Sequence, residues 1–535
     1  MRLLSLIVVV LCVLPGMSCT RTPSAPKEAA HRVAEERLGA ATGVIGEWKV
    51  SPDGTRCAWV TKAGSKLRVV VDGQAGPEYD AIMQGSPIFS PDGKRVAYGA
   101  GKGGKKCVVV DGREEPEYDS IWAVPIFSPD GKRVAYVAGK GGKSFVVVDG
   151  LAGPDYDDIM QGFPIFSPDG KRVAYPARKG DKWLVVVEGR EGPECDGIGI
   201  LIFSPNGKRM AYAAAQGDKR FVVVDGGAGL EYDGIGTLIF SPDGKRVAHT
   251  ARKGDKWIVV VDGQAEPEYD GIGKGSLTFS PDGKRVAYGA RKGDKSLVVV
   301  DGLAGPEYDA IIEGNPIFSS DGKRVAYGAR KGGKRLVVID GEAEPEYDNT
   351  TEGSLIFSPG GNRVAYTAAR GDKRFAVVDG VAGPEYDGIA SLVFSPDGNR
   401  VAYIARRGDK WLVVVDGQAG FEYDGIASLV FSPDGSRVAY AAKRGDKWLA
   451  TVDGRAGHEY DGIIVITFSP DGKRVAYAAG KGDKQFVVVD GEAGPECDVI
   501  GKGSPIFGPD AVLTYFATKD QSMWRITVTP TIQKQ

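Results

Sequence analysis

One short motif recurs along almost the whole chain. The tetrapeptide Ser-Pro-Asp-Gly, or a variant of it differing in one or two residues, begins at thirteen positions spaced 37 to 39 residues apart. Those positions are Ser51, Ser90, Ser128, Ser167, Ser204, Ser241, Ser280, Ser319, Ser358, Ser395, Ser432, Ser469 and Gly508. A fixed period of this length indicates a repeat architecture, in which each unit packs mainly against its neighbours.

A single unit reads as four short strands joined by turns. In the unit around Ser280, residues 277–279 are apolar, and the Pro-Asp-Gly that follows Ser280 has the residues of a tight turn. Residues 285–288 place Val and Tyr two positions apart, on one face of a strand. Residues 297–300 form a second apolar run, and residues 308–311 begin a fourth strand. The unit therefore predicts a four-stranded antiparallel meander.

Such meanders bury enough surface only when they are repeated. The chain contains 77 glycines and 42% apolar residues, a composition that favours many turns between strands. No helical periodicity interrupts the repeats, which excludes a helical solenoid. Packed face to face around an axis, the units share a continuous core of Val and Tyr. The sequence predicts an all-β protein, a β-propeller of about thirteen four-stranded blades.

Residues 127–136 read Phe-Ser-Pro-Asp-Gly-Lys-Arg-Val-Ala-Tyr. This string resembles the WD40-like propeller repeat of the TolB type, and the resemblance extends over about nine tenths of the chain. The Trp-Asp dipeptide of WD40 repeats proper is missing. The resemblance implies a propeller fold and a binding role in the periplasm or at the cell surface.

Thirteen blades exceed the four to eight of ordinary propellers, which favours two rings. We expect a first propeller of about six blades over 47–279 and a second of about seven over 280–535, although no linker marks the boundary. The last unit lacks the Glu-Tyr-Asp segment, and its strands fall at 512–517 and 525–529. An atypical terminal repeat is expected where a ring closes.

The N-terminus has the pattern of a secretion signal. Arg2 is followed by the apolar run 3–14, which has signal-peptide length and is short for a membrane span. Cys19 ends an imperfect lipobox, with Gly16 where Leu is usual, so we expect a signal at 1–19 and an acylated Cys19, or otherwise ordinary cleavage. The prediction is an exported protein, periplasmic or anchored to the outer membrane as a lipoprotein, with the cell surface as a further option.

Residues 20–46 read as a linker. Ala30, Val33, Ala34 and Leu38 recur at helical spacing, and Gly39 suits a helix end. The expectation is one short helix in this segment.

Groups typical of catalysis or metal binding are scarce. The three histidines, His31, His249 and His458, are scattered, and the latter two replace residues at structural repeat positions. Four cysteines stand at apolar positions of the repeat and are expected to act as small hydrophobes: Cys57, Cys107, Cys195 and Cys497. No G-x-S-x-G, HExxH or CxxC motif is present, so no catalytic residue, cofactor or metal is predicted.

Two acidic positions recur in nearly every unit. One Asp ends the third strand, as at Asp72, Asp149 and Asp301. Another follows the Tyr of the fourth, as at Asp80, Asp157 and Asp309. A ring of carboxylates binding Ca²⁺ or a cation is one interpretation. Recurrence in every blade better suits a structural role in turns.

Four tryptophans share one repeat position, at the start of the third strand: Trp183, Trp257, Trp411 and Trp448. Elsewhere the position takes Lys, Ser, Arg, Leu or Gln, which suggests exposure. The functional hypothesis is a binding rim; the alternative is that each indole covers the edge of the next blade.

These observations favour a non-catalytic envelope protein that mediates protein–protein interaction through one propeller face. A carbohydrate or cell-wall binder is the alternative, suggested by the tryptophans, and a carboxylate-based lyase or hydrolase is a third reading. Because 70 acidic residues balance 68 basic ones, no nucleic-acid partner is expected. Contact with a membrane is expected only through the possible lipid anchor.

Overall fold

The computed structural model describes residues 31–41, 43–312, 316–501 and 505–530. The predicted signal at 1–19, with Cys19, lies outside these residues. Thirteen antiparallel sheets follow one another along the chain and form a propeller ring. We number them blades 1 to 13 and label the strands of each blade a to d, in their order across the sheet.

Strands b and c are the long central pair of each blade. The b strands are Cys57–Ala63, Val96–Lys102, Val134–Lys140, Val173–Lys179, Met210–Gln216, Val247–Lys253, Val286–Lys292, Val325–Lys331, Val364–Arg370, Val401–Arg407, Val438–Arg444, Val475–Lys481 and Leu513–Lys519. The c strands are Lys66–Val71, Lys105–Val110, Lys143–Val148, Lys182–Val187, Lys219–Val224, Lys256–Val261, Lys295–Val300, Lys334–Ile339, Lys373–Val378, Lys410–Val415, Lys447–Val452, Lys484–Val489 and Ser522–Pro530.

Strand a takes two forms. It is continuous in blades 1, 5, 6, 10, 11 and 12, as Val44–Val50, Gly197–Phe203, Gly234–Phe240, Gly388–Phe394, Gly425–Phe431 and Gly462–Phe468. It is split in blades 2, 3, 4, 7, 8, 9 and 13, as Ala81–Ile82 with Ile88–Phe89, Ser120–Ile121 with Ile126–Phe127, Asp158–Ile159 with Ile165–Phe166, Gly271–Ile272 with Thr278–Phe279, Ala310–Ile311 with Ile317–Phe318, Asn349–Thr350 with Ile356–Phe357, and Val499–Ile500 with Ile506–Phe507.

Strand d is short in most blades. The d strands of blades 1 to 12 are Gln74–Ala75, Arg113–Glu114, Leu151–Ala152, Arg190–Glu191, Gly227–Ala228, Gln264–Ala265, Leu303–Ala304, Glu342–Ala343, Val381–Ala382, Gln418–Ala419, Arg455–Tyr460 and Glu492–Ala493. Strand a lies innermost: the a strands Gly197–Phe203 and Gly234–Phe240 of neighbouring blades contact each other. Toward strand d the sheets splay, and clefts open between blades.

The turn between strands c and d shows why Asp-Gly recurs. In blade 3 Asp149 and Gly150 both have positive φ, at 52° and 77°. Two consecutive residues of this conformation make a type I′ turn, whose twist matches a two-residue hairpin. Asp tolerates the left-handed region and Gly adopts it freely, so the dipeptide sets the hairpin of nearly every blade.

Blade 13 closes the ring with both ends of the chain. Its strand d is His31–Ala40, which pairs antiparallel with the c strand Ser522–Pro530. Leu38 and Phe516 of this blade pack against Trp59 and Val70 of blade 1. The closure fits the atypical last unit, which has no Glu-Tyr-Asp segment because the outer strand comes from the N-terminus.

The helix expected within residues 20–46 is not what the structure shows, because His31–Ala40 is a strand. Its spacing of apolar residues suits a helix locally. The unpaired edge of Ser522–Pro530, however, offers a full row of backbone hydrogen bonds, and this tertiary pairing outweighs the weak local propensity. Among the described residues no helix occurs.

The packing of sheets also bears on the expected division into two rings. Across residue 280, Val259 and Val261 of blade 6 share a core with Leu277, Phe279 and Val286 of blade 7, as at the other interfaces. The last blade packs on the first. The ring has thirteen blades, and the division at 279/280 is not confirmed.

Candidate functional site: the inner wall of the ring

The Asp that ends strand c serves the contact between blades. In blade 3 the Asp149 carboxylate accepts hydrogen bonds from the Val134 backbone N–H at 2.9 Å and from Arg133 Nε at 2.9 Å. Arg133 Nη1 donates to the Lys171 carbonyl of blade 4 at 2.7 Å, and its guanidinium lies 5.8 Å from the Phe166 ring centroid. Equivalent Arg–Phe contacts recur between successive blades. This acid therefore orients the arginine that joins neighbouring sheets.

The Asp that follows the strand-d tyrosine also joins blades. Asp157 accepts from Lys143 Nζ at 2.5 Å and from the Gly180 backbone N–H of blade 4 at 2.7 Å. These bonds, that of Lys143 above all, lower the pKa of Asp157. Both recurrent acids are thus engaged in structural bonds. Within the described residues no group of three His, Cys, Asp or Glu side chains is placed to hold a metal ion.

The four predicted rim tryptophans lie in four different blades, 4, 6, 10 and 11, and none is fully exposed. Trp183, Trp411 and Trp448 pack on the hydrophobic cores shared with the next blade. Trp257 lies over Gly236 of its own blade, where an added Cβ would meet the indole at 3.6 Å. The structure does not bring the four together. The packing of three of them fits the alternative in which the indole covers the edge of the next blade, whereas Trp257 lies on its own blade.

The histidines and cysteines occupy structural positions. His31 lies in the closing strand, and His458 is exposed on strand d of blade 11. His249 is buried, which lowers its pKa to about 4. All four repeat cysteines are buried and unpaired, as expected of small hydrophobes. Burial raises the thiol pKa of Cys57 to about 12, so this thiol is not a nucleophile at neutral pH.

The split a strands carry loops that the continuous ones lack. In blades 2, 3 and 4 these loops are residues 83–87, 122–125 and 160–164, which we call together the inner arc. Because strand a is innermost, a loop in its middle projects toward the central opening. Sheets pack about 10 Å apart, so thirteen of them leave an opening on the order of 20 Å across, wider than a helix of about 10–12 Å.

The inner arc contains no charged residue. Its sequences are Met-Gln-Gly-Ser-Pro, Trp-Ala-Val-Pro and Met-Gln-Gly-Phe-Pro. Trp122 is 66% exposed, far more than the four rim tryptophans, and it stands beside the exposed Ala123. Met83, Met160 and Phe163 are half-buried. Exposed aromatic side chains and flexible methionines are typical of surfaces that bind other proteins.

Backbone contacts hold the arc in place. The Trp122 N–H donates to the Val137 carbonyl of strand b at 3.1 Å. The indole lies over Gly139, where an added Cβ would meet Nε1 at 3.1 Å, so the glycine makes room for the ring. An added Cβ on Gly85 would meet Val124 Cγ2 at 3.2 Å, which shows that the loops of blades 2 and 3 touch.

The equivalent loops of blades 7 and 9 differ in chemistry. They contain the charged residues Lys274 and Glu352. Serine side chains hold them to the sheet, as Ser86 holds the loop of blade 2. In blade 7 the Ser276 hydroxyl donates to the Gly273 carbonyl at 2.7 Å and accepts from the Gly289 N–H at 3.1 Å. The inner loops therefore carry no charge in blades 2–4, whereas those of blades 7 and 9 each carry one charged residue.

In continuous a strands, single isoleucine side chains are exposed instead of a loop. Each has an irregularity in its middle, between Ile198 and Leu201 in blade 5 and between Ile463 and Ile466 in blade 12. Ile200 in the first is 43% exposed, and Ile464 in the second is 62% exposed.

The inner arc was not predicted from the sequence, yet a signal for it exists. Repeats that lead into a continuous strand a are 37 residues long, as from Ser167 to Ser204, whereas those that lead into a split strand have 38 or 39, as from Ser51 to Ser90. The extra residues are the inner loops.

No family model matches the sequence, and no curated protein matches it either. Among solved structures, the chain is similar to a eukaryotic initiation factor, at 14% identity and a TM-score of 0.29, over 62% of this chain and 96% of that one. TolB from Acinetobacter baumannii shows 20% identity and a TM-score of 0.21, over 42% and 64%. The β-propeller domain of the Trilobed protease from Pyrococcus furiosus shows 14% and 0.24, over 49% and 94%. Likenesses this low bear on neither ligand nor activity.

Proposed function

We propose that this chain is a non-catalytic binding protein of the bacterial cell envelope that holds a protein partner against the inner arc. The observation that carries the proposal is the 66% exposed indole of Trp122 in a stretch of wall without a charged residue. Central, exposed tryptophans surrounded by neutral side chains are frequent binding hot spots.

The remaining chemistry supports binding over catalysis. The recurrent carboxylates, such as Asp149 and Asp157, are engaged in bonds that join blades. The four repeat thiols are buried, and so is His249. These groups have structural partners or apolar surroundings, which leaves the inner wall to act through shape and apolar contact.

A carbohydrate is the second candidate partner, because an exposed indole such as Trp122 also stacks on sugar rings. Sugars need several polar partners in addition to the aromatic face. The arc offers Gln84, Ser86 and Gln161 as its polar side chains, and the exposed ones are Gln84 and Gln161. The balance therefore favours a protein, and the experiment below distinguishes the two.

The cellular location forms part of the proposal. It rests on the apolar run 3–14 and on Cys19, which suit export followed by acylation. Fractionation of cells that express wild type and Cys19→Ser tests it. We expect wild type in the membrane fraction and the variant in the soluble exported fraction; recovery of both in the cytoplasm would contradict the proposal.

Site-specific photo-crosslinking tests the partner site. A photoreactive amino acid replaces Ala123 in the inner arc, and the matched control places it at Lys274 of blade 7. We expect one specific protein adduct from position 123 and none from position 274. Adducts with polysaccharide at 123 would favour the carbohydrate reading, and protein adducts at 274 alone would refute the inner arc as the site.

A further inference from the structure

Nearly identical blades provide an internal standard, and several departures from it meet at one interface. Gly227 follows Asp-Gly at the start of strand d in blade 5, where the other eleven internal blades carry a larger side chain. Leu230 replaces the Pro found at this position in nine blades. His249 of blade 6 replaces the tyrosine found in eleven. All three line one cleft of about 490 Å³, which we call the 5–6 cleft.

The imidazole leaves space that a tyrosine fills elsewhere. In eight other interfaces a Cβ placed on the glycine of strand d would lie 3.3–3.8 Å from a tyrosine hydroxyl of the next blade. Those glycines are Gly76, Gly153, Gly192, Gly305, Gly383, Gly420, Gly457 and Gly494. At Gly229 the Val222 carbonyl oxygen alone lies within 4 Å. The position of a phenol hydroxyl is therefore vacant.

His249 still takes the place of the missing ring. It packs edge to face on Tyr232 with 6.2 Å between ring centroids, the same separation as in the ordinary pair Tyr269–Tyr288. The imidazole is shorter than a phenol, so the atom that is missing, relative to the other blades, is the one at the position of the tyrosine hydroxyl. The 5–6 cleft thus differs from its neighbours in the group that it presents, an imidazole in place of a phenol hydroxyl, and not in overall size, since equivalent clefts measure about 380–690 Å³.

Two buried polar atoms at this interface have no hydrogen-bond partner: Nε2 of His249 and the hydroxyl of Tyr232. The two residues are 92% and 95% buried, from exposures of 8% and 5%. Leaving such groups unpaired is unfavourable, and most buried polar atoms in proteins are paired. Both groups can bond a hydroxyl, because neutral imidazole and phenol each accept and donate.

The charged residues around the cleft are already engaged. Arg209 pairs with Asp225 at 2.8 Å and also donates to the Lys245 carbonyl. Asp262 pairs with Arg246 at 2.8 Å. These pairs leave apolar carbon, from Val222, Val224 and Leu230, as the surface that a ligand meets. A neutral ligand suits this lining better than an ion.

We propose that the 5–6 cleft binds a small neutral molecule with a hydroxyl on an aromatic ring, a phenol-class ligand. Its hydroxyl takes the vacant tyrosine position, and its ring lies against the aliphatic lining beside Leu230. Because Nε2 of His249 is closed to solvent in the structure, a rotation of this side chain brings the imidazole to the ligand hydroxyl. The site is independent of the inner arc and adds a small-molecule function to the proposed protein binding.

Phenol itself is the probe, and imidazole NMR is the measurement. The chain has three histidines, so selectively labelled imidazole signals are few, and His249→Tyr assigns the one that matters. We expect a saturable shift of the His249 signal with a dissociation constant of about 1–5 mM, as suits so small a ligand. Toluene, which lacks the hydroxyl, should bind about tenfold more weakly.

His249→Tyr restores the residue that eleven blades carry, so it is expected to fold. In saturation-transfer experiments it should bind phenol at least about tenfold more weakly, because its own hydroxyl fills the vacant position. Leu230→Pro, which restores the repeat at the mouth of the cleft, should weaken binding less. Trp122→Glu should bind phenol as wild type does. Equal phenol binding by wild type and His249→Tyr, or no shift of the His249 signal up to 20 mM (about four times the weakest expected constant), would overturn the proposal.

Discussion

Blades 2–4 and blades 7–9 share a split strand a, but their loops carry different side chains. In both sets strand a is split, and in blades 2, 3, 4, 7 and 9 the loop in its middle projects toward the central opening. The first set presents Trp122 and no charge, whereas the second carries Lys274 and Glu352. A serine ties the loop to strand b in both sets, since Ser86 of blade 2 accepts from strand b as Ser276 and Ser354 do in blades 7 and 9.

The difference shows how a repeat protein can separate architecture from recognition. Eleven of the thirteen blades keep the Arg–Asp pair and the Asp-Gly turn, because the joints between sheets depend on them. The middle of strand a does not take part in these contacts between sheets, so its length and composition are free to vary. A binding site in this ring is therefore expected where strand a departs from its neighbours.

Closure of the ring gives the largest expected effect, since both sets of loops face one opening only while the ring is closed. Deletion of residues 31–40 removes the outer strand of blade 13 and exposes the edge of Ser522–Pro530. We expect loss of the cooperative thermal transition or aggregation on purification, since an open edge pairs with other chains. Calorimetry and size-exclusion chromatography measure it; an unchanged melting profile would show that the strand does not close the ring.

Trp122→Glu should abolish most of the partner binding that we assign to the inner arc. A charge in place of a hot-spot indole is expected to weaken partner binding about 100-fold. Lys274→Glu, at the equivalent loop of blade 7, is the matched control and should leave affinity unchanged. Titration calorimetry with the crosslinked partner measures both. Equal losses in the two variants would remove the distinction between the loop sets.

For stability we expect the larger effect of substitution in the loop of blade 7 and the smaller effect in the inner arc, the reverse of the order expected for partner binding. Ser276 is 5% exposed and accepts from the Gly289 N–H, so Ser276→Ala should lower the free energy of unfolding by about 1–2 kcal/mol. Trp122→Ala, at a 66% exposed position, should change it by less than about 0.5 kcal/mol. Urea denaturation of both variants checks this; a larger loss for Trp122→Ala would mean that the indole is structural.

Salt and pH should have the smallest effects on binding. Because the inner arc has no charged or titratable side chain, affinity should change less than about threefold between low and high salt, and little between pH 7 and 8. A steep salt dependence would point to blades 7–9 instead.

Acid affects the fold through His249. Burial lowers its pKa to about 4 in the folded state, below the ordinary value of 6.5. The unfolded chain therefore binds more protons between these values, and stability falls as the pH drops from 6.5 toward 4. The melting temperature of His249→Tyr should decline less over this range.

Much of the fold follows from local sequence. The period, the Ser-Pro-Asp-Gly turn and the Asp-Gly hairpin are each set by a few residues, and all point to the same blade. The outer strand of blade 13 was missed because Val33 and Leu38 have helical spacing, and its pairing partner lies at the other end of the chain. The number of rings could not be predicted from the sequence, because near-identical blades carry no mark of where a ring ends.

The site was harder to predict than the fold. Exposure was inferred for Trp183 and its equivalents because the same position accepts Lys and Ser. In the structure the indole lies along the edge of the next blade, a place where long side chains and small ones both fit. Trp122 lies in a loop that varies in length between blades, so it had no repeat position from which to be recognised.

Electron cryomicroscopy of the purified protein tests the central claim most directly, because it counts blades in views along the ring axis. We predict a single closed ring with thirteen spokes and one central opening. Two smaller rings side by side would contradict the account, since the inner arc and the loops of blades 7–9 would then line separate openings.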